Sequence, residues 1–129
     1  MFLKEENIKK GISKDIKNIM ANREIEIEYD GLSYKLGYSR ATIQHMERNG
    51  FSLKYIENAP MTYIPMLFEG AFLLHCKKTK IEKIREIYNN LEGKEDLIPE
   101  LATIYAESMA TLMEEPSENS TKKASWKVI

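Results

Sequence analysis

Two histidines and one cysteine are the side chains of this sequence best suited to metal binding or nucleophilic catalysis. His45 and His75 lie on separate predicted helices, and neither has a cysteine or carboxylate at ligand spacing. His75 and Cys76 are consecutive, so on a helix their side chains would point about 100° apart. A cysteine nucleophile would also need an orienting acid and an oxyanion hole, and no segment marks either one. The sequence therefore predicts no metal site and no enzymatic activity.

The glycines and the basic residues also lack the arrangement that binds phosphate groups. The six glycines are scattered over predicted turns and helix ends, so we expect no nucleotide cradle and no cofactor. Residues 39–57 imitate helix-turn-helix spacing, but Arg40 and Arg48 are interleaved with Glu47 and Glu57. Phosphate binding normally requires a more positive face. The net charge of −1 likewise disfavours a dedicated nucleic-acid-binding protein.

The composition fits one domain in a reducing compartment. Hydrophobic residues make up 43% and charged residues 30% of the 129 residues, which is enough apolar surface for a single core. No apolar run approaches the roughly 20 residues that span a bilayer. The N-terminal sequence MFLKEENIKKG lacks the pattern of a signal peptide. Cys76, the single cysteine, has no partner for an internal disulfide, so we expect a cytoplasmic protein.

Two alternating segments around Asp30-Gly31 predict a β-hairpin. Residues 24–29 alternate glutamate with an apolar side chain, and residues 32–36 alternate apolar with polar side chains. Asp-Gly suits a type I′ turn, because both central residues of that turn need positive φ. An isolated hairpin is barely stable in water. Its apolar face must therefore pack on helices or on the strand of another chain.

Four helices are predicted after the hairpin. The first begins at the cap Ser39 and stops at Gly50. The second, residues 63–76, is apolar on most sides and is expected to be the central, buried one. The third opens with a capping box at Thr79. The fourth, residues 97–113, is a long amphipathic helix with an acidic outer face.

Two prolines fall near the starts of the second and fourth predicted helices. If Thr62 caps the second helix and Asp96 the fourth, Pro65 and Pro99 each occupy the third helical position. Their missing N–H groups would have no helical partner there in any case. Gly93 is expected to stop the third helix.

The chain is predicted to have three parts. Residues 1–23 form an amphipathic N-terminal extension, residues 24–115 a single globular domain, and residues 116–129 a flexible tail. The fold class is α+β, mostly α, with an N-terminal β-hairpin packed on a bundle of about four helices. Residues 1–23 are mildly basic and residues 95–118 are acidic. These two segments could attract each other, attract partners of opposite charge, or simply be solvated.

Methionines and one carboxylate indicate protein binding. Methionine is flexible and polarizable, so an exposed set of methionines makes an adaptable apolar surface, although it also fills ordinary cores. Glu69 stands inside the most apolar helix, where it is either a charged edge or a polar contact across an interface. The methionines on predicted helices or beside them are Met46, Met61, Met66, Met109 and Met113.

The order of these elements and three short motifs resemble the tail assembly chaperones of long-tailed bacteriophages, in particular a family from phages and prophages of Gram-positive bacteria. The first motif is Y-S-R-x-x-I-x-x-M-E-x-x-G-F, from Tyr38 to Phe51. The second is F-x-G-A-F-L, which ends at Leu73, and the third is S-W-x-V at residues 125–128. The resemblance covers residues 24–129. Residues 1–23 depart from it, since such proteins usually begin just before the hairpin.

The resemblance implies a non-enzymatic role. Such chaperones coat the long, hydrophobic tape measure protein, keep it soluble, and help recruit tail tube subunits around it. A longer, frameshifted product of the same gene commonly contacts the tube protein, and self-association would suit the task. The chain would then act in the cytoplasm of the bacterial host and be absent from the mature virion. An alternative is a small DNA- or protein-binding regulator or adaptor that uses the helices within residues 39–57.

Five residues are predicted to contact the client or another partner: Met66, Phe72, Met109, Met113 and Trp126. Trp126, the only tryptophan, has three open interpretations. It docks back on its own domain, it anchors a partner as a short linear motif, or it makes no fixed contact. Lys122-Lys123 adds a hypothesis, because consecutive lysine codons form slippery A-rich runs and a frameshift there would confine Trp126 to the short product.

Overall fold

The computed structural model describes residues 23–129, in which a β-hairpin is followed by four α-helices. The strands are β1 (Ile25–Tyr29) and β2 (Leu32–Leu36), and the helices are α1 (Arg40–Arg48), α2 (Pro60–Gly70), α3 (Ile81–Asn89) and α4 (Lys94–Ala110). Short 3-10 helices span Leu53–Tyr55 and Thr111–Met113. The predicted α+β, mostly α fold class is confirmed. Of the predicted N-terminal extension, residues 1–22 lie outside the described residues.

The hairpin turns through two residues in left-handed conformations, as predicted. Asp30 has φ 51° and Gly31 has φ 78°, as a type I′ turn requires. The strands pair antiparallel, with Tyr29 opposite Leu32 and Ile27 opposite Tyr34. Since side chains alternate across a strand, this register places all the apolar residues on one face. That face packs on the helices.

Helix α1 is closed at both ends by local hydrogen bonds. The Ser39 hydroxyl accepts from Thr42 N at 3.2 Å, and the Thr42 hydroxyl accepts from Ser39 N at 2.9 Å, which makes a reciprocal capping box. At the other end Gly50 N donates to Glu47 O and Phe51 N to Met46 O. Gly50 has φ 93°. These two bonds form a Schellman motif and confirm the predicted cap and stop.

The predicted starts of α2 and α4 are wrong. Helix α2 begins at Pro60 after the N-cap Ala59, and α4 begins at Lys94 after the N-cap Gly93. Thr62 and Asp96 are therefore helical residues, not caps. Proline suits the first helical position because its ring fixes φ and its missing N–H is unpaired there anyway. Each helix thus gains one turn before the predicted start, and Pro65 and Pro99 move to the sixth position.

Two further local predictions are corrected around α3. The helix begins at Ile81 after Lys80, which makes no side-chain capping bond. Thr79 instead closes the preceding turn, because its N–H donates to Cys76 O at 3.0 Å. Helix α3 ends at Asn89, and Gly93, with φ 75°, is the left-handed residue immediately before α4. The Gly93 carbonyl accepts the first backbone bonds of α4, from Asp96 N and Leu97 N.

The core forms where the apolar face of the hairpin meets the helices. Helix α2 contacts each of the other three helices, so it is central as predicted, but only Leu67, Phe68 and Gly70 of its residues are buried. Aromatic rings meet edge to face in the middle, with Tyr105 against both Tyr38 and Phe51. The buried apolar residues are Ile27, Tyr34, Leu36, Tyr38, Ile43, Met46, Phe51, Leu67, Phe68, Ala71, Phe72, Ile84, Ile87, Leu101, Ile104 and Tyr105.

Residues 114–129 form no helix or strand, and all of them are exposed. We call residues 114–129 the tail. The part of the chain that the structure describes contains no helix long and apolar enough to cross a membrane.

Candidate protein-binding surfaces

A groove lies between α1, α2 and the start of α3, and we call it the Met66 groove. Its volume is about 290 Å³. Helices α1 and α2 approach closely beside it, because Gly70 leaves room for the side chain of Met46. The groove is lined by His45, Met46, Asn49, Phe51, Met66, Glu69, Gly70, Leu73, Thr79, Ile81 and Ile84.

Glu69 supplies the charge at this groove. Its carboxylate lies 3.6 Å from Nε of Arg85 on α3, so the ion pair joins α2 to α3. Arg85 is mostly exposed, and an exposed pair of this kind contributes little stability. Glu69 is thus a charged edge of the apolar helix, and it also lines the Met66 groove.

A second apolar surface lies where α4 ends. Met109 is 39%, Leu112 69% and Met113 86% exposed, and we call these three residues the α4-end patch. They are exposed because α4 gives way to a 3-10 turn beyond the core. Arg40 on α1 holds this turn, since its guanidinium donates to the hydroxyl and to the carbonyl oxygen of Thr111. The patch is therefore presented by an anchored segment.

The predicted partner-binding residues occupy different environments. Met109 and Met113 are exposed together in the α4-end patch, and Met66 is half-buried in its groove. Phe72 requires a correction: it is 1% exposed and packs on Tyr34 and Phe68 in the core, so it offers no surface to a partner. The prediction failed because a chain that leaves α2 at Gly70 turns back onto the hairpin.

Trp126 does not dock on the described part of its own domain. Its side chain is 87% exposed, and Val128 and Ile129 beside it are also exposed. The first of the three interpretations, docking of Trp126 on its own domain, is therefore not observed within residues 23–129. A linear anchor for a partner and an unattached segment both remain predictions.

A third surface, which the sequence did not predict, runs along the free edge of β1. This β1 groove has a volume of about 460 Å³. All five residues of β1 line it, from both faces of the strand, so the groove follows the strand's edge. The other wall comes from the end of α3 and the start of α4, namely Ile87, Asn90, Leu91, Glu92 and Leu97.

Ion pairs fix the start of β1 next to this groove. Arg23 donates from Nε to Glu107 at 3.0 Å and from Nη1 to Glu100 at 2.5 Å. These hydrogen bonds, with the one to Glu107 the larger cause, raise the pKa of the Arg23 guanidinium above its ordinary value. Glu24 pairs with Nε2 of His75 at 2.5 Å. Arg23, a basic residue of the predicted N-terminal extension, thus binds the acidic face of α4. This contact agrees with one of the alternatives from the sequence, attraction between residues 1–23 and residues 95–118.

Tyr29, at the far end of β1, is tied to α3 by its hydroxyl. The hydroxyl donates to the Glu86 carboxylate at 2.8 Å and accepts from Asn90 Nδ2 at 3.3 Å. The bond from Tyr29, with a smaller contribution from Lys83, lowers the pKa of Glu86 below its ordinary value. The hairpin is therefore attached to the helices at both ends, and the β1 groove lies between these attachments.

The described residues 23–129 contain no group of three or more histidine, cysteine or acidic side chains that could hold a metal ion.

A scan against protein families matches residues 17–129 to a domain of unknown function, DUF5055. The chain belongs to the DUF5055 family. This DUF5055 domain includes the hairpin, all four helices and the tail with Trp126. Comparisons of the chain with curated proteins and with solved structures found no match.

Proposed function

We propose that this DUF5055 protein is a tail assembly chaperone of long-tailed bacteriophages. It binds the tape measure protein in the cytoplasm of the bacterial host, keeps that hydrophobic client soluble, and helps to recruit tail tube subunits. The resemblance of the Tyr38–Phe51 motif, the F-x-G-A-F-L motif and the S-W-x-V motif to such chaperones supports this function. A longer frameshifted product would supply the contact with the tube protein.

The observation that carries the proposal is the α4-end patch. Large apolar side chains grouped on the surface of a small domain mark a binding site, since water solvates them poorly. Two of the three are methionines, whose unbranched side chains adapt to clients of irregular shape. The contact of Arg40 with Thr111 keeps the segment in place, so binding does not require the segment to become ordered.

The Met66 groove offers a second contact for an apolar client side chain. Its apolar lining suits a leucine, phenylalanine or methionine of a client helix, in the manner of a helix lying in a groove. Glu69 at its edge would favour a basic residue on that helix. We assign the groove a supporting role, because Met66 itself is only half-exposed.

The test is co-expression with a fragment of the tape measure protein encoded beside this gene. Met109→Asp with Met113→Asp places two charges in the patch, and we expect most of the fragment to become insoluble. Both side chains are exposed, so the melting temperature should change little. Met61→Asp is the matched control, because Met61 is 89% exposed at the start of α2 and outside the patch.

Two results would contradict the proposal. One is a fragment that stays equally soluble with the wild-type chain, with the double variant and without any partner. The other is a gene neighbourhood with no major tail protein gene and no very long tape measure gene. If Met61→Asp and the double variant make equal amounts of the fragment insoluble, the α4-end patch is not the specific binding site.

A further inference from the structure

We propose that the tail of one copy adds a strand to the free edge of β1 in a second copy. The segment concerned, which we call the tail strand, is residues 123–128. Its docking site is the β1 groove. This self-association requires no client, so it goes beyond the chaperone function and is tested separately from it.

Within residues 23–129, no strand other than β2 pairs with β1, so the other edge of β1 carries backbone groups that are unpaired in this part of the chain. In an antiparallel ladder, alternate residues direct N–H and C=O towards the partner strand. Tyr29 is the pair of Leu32 at the two-residue turn, so Tyr29, Ile27 and Ile25 bond to β2. Glu26 and Glu28 therefore direct their backbone groups outward, into the groove. No backbone bond between described residues uses the N–H groups of Glu26 and Glu28 on that side.

The edge of β2 differs because the chain after α2 already covers its C-terminal end. Gly37 N donates to Ala71 O at 3.1 Å, and the Cys76 thiol donates to Lys35 O at 3.5 Å. Residues 71–76 thus lie on the outer side of β2 next to Lys35. Another strand can pair with an unpaired strand edge. Within the described chain, the β1 side of the hairpin is the unpaired edge.

The tail strand has the sequence pattern of a half-buried strand. Ala124, Trp126 and Val128 alternate with Lys123, Ser125 and Lys127. Tryptophan and valine favour strands, and strand side chains alternate between two faces. Trp126 and Val128 are 87% and 89% exposed, so burial in the groove would remove a large apolar area from water.

Charge determines which strand fits this edge. The exposed face of β1 carries Glu26 and Glu28, and Glu24 continues the same two-residue spacing just before the strand. The polar face of the tail strand carries lysines at positions 123 and 127, with the same period. Pairing Glu26 with Ser125 sets both lysines opposite glutamates, whether the strands run parallel or antiparallel. A second β1 strand would instead place glutamates against glutamates, which is destabilising.

The two glutamates at the start of the tail favour a second copy over the same chain. Leu97, near the start of α4, lines the β1 groove, whereas the tail leaves beyond the other end of that helix. To reach its own groove, the tail would run back along α4. Glu114 and Glu115 would then pass the acidic surface that includes Glu100 and Glu107. Like charges oppose that path, and a neighbouring copy avoids it.

The contact joins two different surfaces, the tail of one copy and the β1 groove of the next. Such a heterologous contact leaves a free groove and a free tail at the ends of every assembly, so it builds an open chain unless the rotation closes a ring. We therefore expect a range of oligomers whose mean size grows with protein concentration.

Trp126 reports on this association directly, because it is the only tryptophan. We expect its emission to shift to shorter wavelength as the full chain is concentrated, in step with a rise in sedimentation coefficient. Glu24→Lys with Glu28→Lys should weaken the association at least about tenfold, and so should Lys123→Glu with Lys127→Glu. All four changes together should restore it. Lys77→Glu with Lys78→Glu is the control with matched charge and should have no effect.

Results of two kinds would overturn the proposal. A Trp126 emission that is independent of concentration means that no second copy covers it. If reversing the glutamate charges leaves association unchanged, glutamate–lysine pairing does not hold the copies together. The same conclusion follows if the fourfold variant associates as weakly as either double variant. A circular dichroism melt of each variant excludes unfolding as the cause of any loss.

Cross-linking separates a second copy from the same chain. In a Cys76→Ala background, Glu26→Cys with Ser125→Cys should give a ladder of covalent oligomers on mild oxidation. Ser33→Cys with Ser125→Cys, on the other strand of the hairpin, should give none. A cross-linked monomer that migrates faster on a denaturing gel would show intramolecular docking and overturn the proposal. The absence of any cross-link in associating protein would overturn the strand placement.

Discussion

The sulfur of Met46 lies 2.5 Å from the position that a Cβ on Gly70 would occupy. Real side chains do not approach so closely, so the contact between α1 and α2 depends on the missing Cβ of residue 70. Met46 is 4% exposed and borders the Met66 groove. Met46 is thus the residue that makes the close approach at Gly70.

Gly70→Ala should destabilise the fold. A methyl group at this position displaces Met46 within the core, and overpacking of this kind costs about 1–3 kcal/mol. Alanine recovers up to about 1 kcal/mol of helix propensity at the end of α2. We expect a net loss of about 1–2 kcal/mol in the free energy of unfolding. Urea denaturation followed by circular dichroism measures this loss.

A double-mutant cycle shows whether Met46 is the cause. Met46→Ala makes room for the new methyl group, so Gly70→Ala should cost less in that background than in the wild type. If the two losses simply add, the contact between these residues does not explain the cost. The same cycle with Met61→Ala, at an exposed position, should be additive.

Ser39→Ala should cost about 1 kcal/mol, because it removes the hydroxyl that caps α1 and opens the reciprocal bond with Thr42. Ser52 is the matched control: it occupies the N-cap position of the 3-10 helix Leu53–Tyr55 but makes no side-chain capping bond. Ser52→Ala should change stability by less than about 0.5 kcal/mol. Equal losses in the two variants would contradict the role of the capping box.

Local chemistry alone made the hairpin and α1 predictable. Asp30-Gly31 can form a type I′ turn wherever it occurs, and Ser39 with Thr42 satisfies a helix end without help from the rest of the fold. The starts of α2 and α4 were missed because two earlier residues compete with the predicted caps. Thr62 and Asp96 are good caps by type, but Pro60 suits the first helical position of α2, and the Gly93 carbonyl accepts the first backbone bonds of α4.

Surface positions were harder to predict because they depend on how elements meet. Met109 and Met113 could be placed on an exposed face from their period on one helix. Phe72 lies after α2 ends, where the helical period no longer holds, and the hairpin covers it. The β1 groove forms between β1 and residues distant in sequence, such as Ile87. No local sequence pattern predicts that these segments lie side by side.

Tyr29→Phe should raise the pKa of Glu86 towards its ordinary value, because the hydrogen bond from the tyrosine hydroxyl is the largest cause of the lowered pKa. A carboxylate whose pKa is lowered by folding stabilises the folded state above its ordinary pKa. This contribution disappears as the pH falls through the folded-state pKa. The variant should therefore show a smaller acid-dependent loss of stability from this group.

The measurement is an NMR titration of the Glu86 side-chain carboxyl in both proteins. Lys83, with Nζ 3.3 Å from the carboxylate, remains in the variant, so the pKa should not return fully to its ordinary value. Tyr55→Phe is the control, since Tyr55 is exposed and contacts Tyr63 and Lys54, not Glu86. An unchanged Glu86 pKa in Tyr29→Phe would contradict the assignment of the hydrogen bond.

Two buried tyrosines should respond in opposite ways to loss of the hydroxyl. Tyr38 donates to Leu67 O at 2.6 Å, so Tyr38→Phe removes a buried hydrogen bond and should cost about 1–2 kcal/mol. The Tyr105 hydroxyl is buried without a hydrogen-bond partner among the described residues. Tyr105→Phe removes a desolvated polar group while keeping the ring contacts with Tyr38 and Phe51, so stability should be unchanged or higher.

The Tyr105 hydroxyl should also affect stability at alkaline pH. Burial, with a smaller contribution from the Glu47 carboxylate, raises the pKa of Tyr105 to about 12. Because burial disfavours the ionised form, the wild type loses stability as the pH rises from the ordinary tyrosine pKa of about 10 towards the folded-state value. Tyr105→Phe has no such group to ionise, so its alkaline unfolding midpoint should lie at higher pH than that of the wild type. Stability curves at pH 7 and pH 11 test both halves of this prediction. A variant that is less stable than the wild type at both pH values would mean that the Tyr105 hydroxyl has a partner that stabilises the fold.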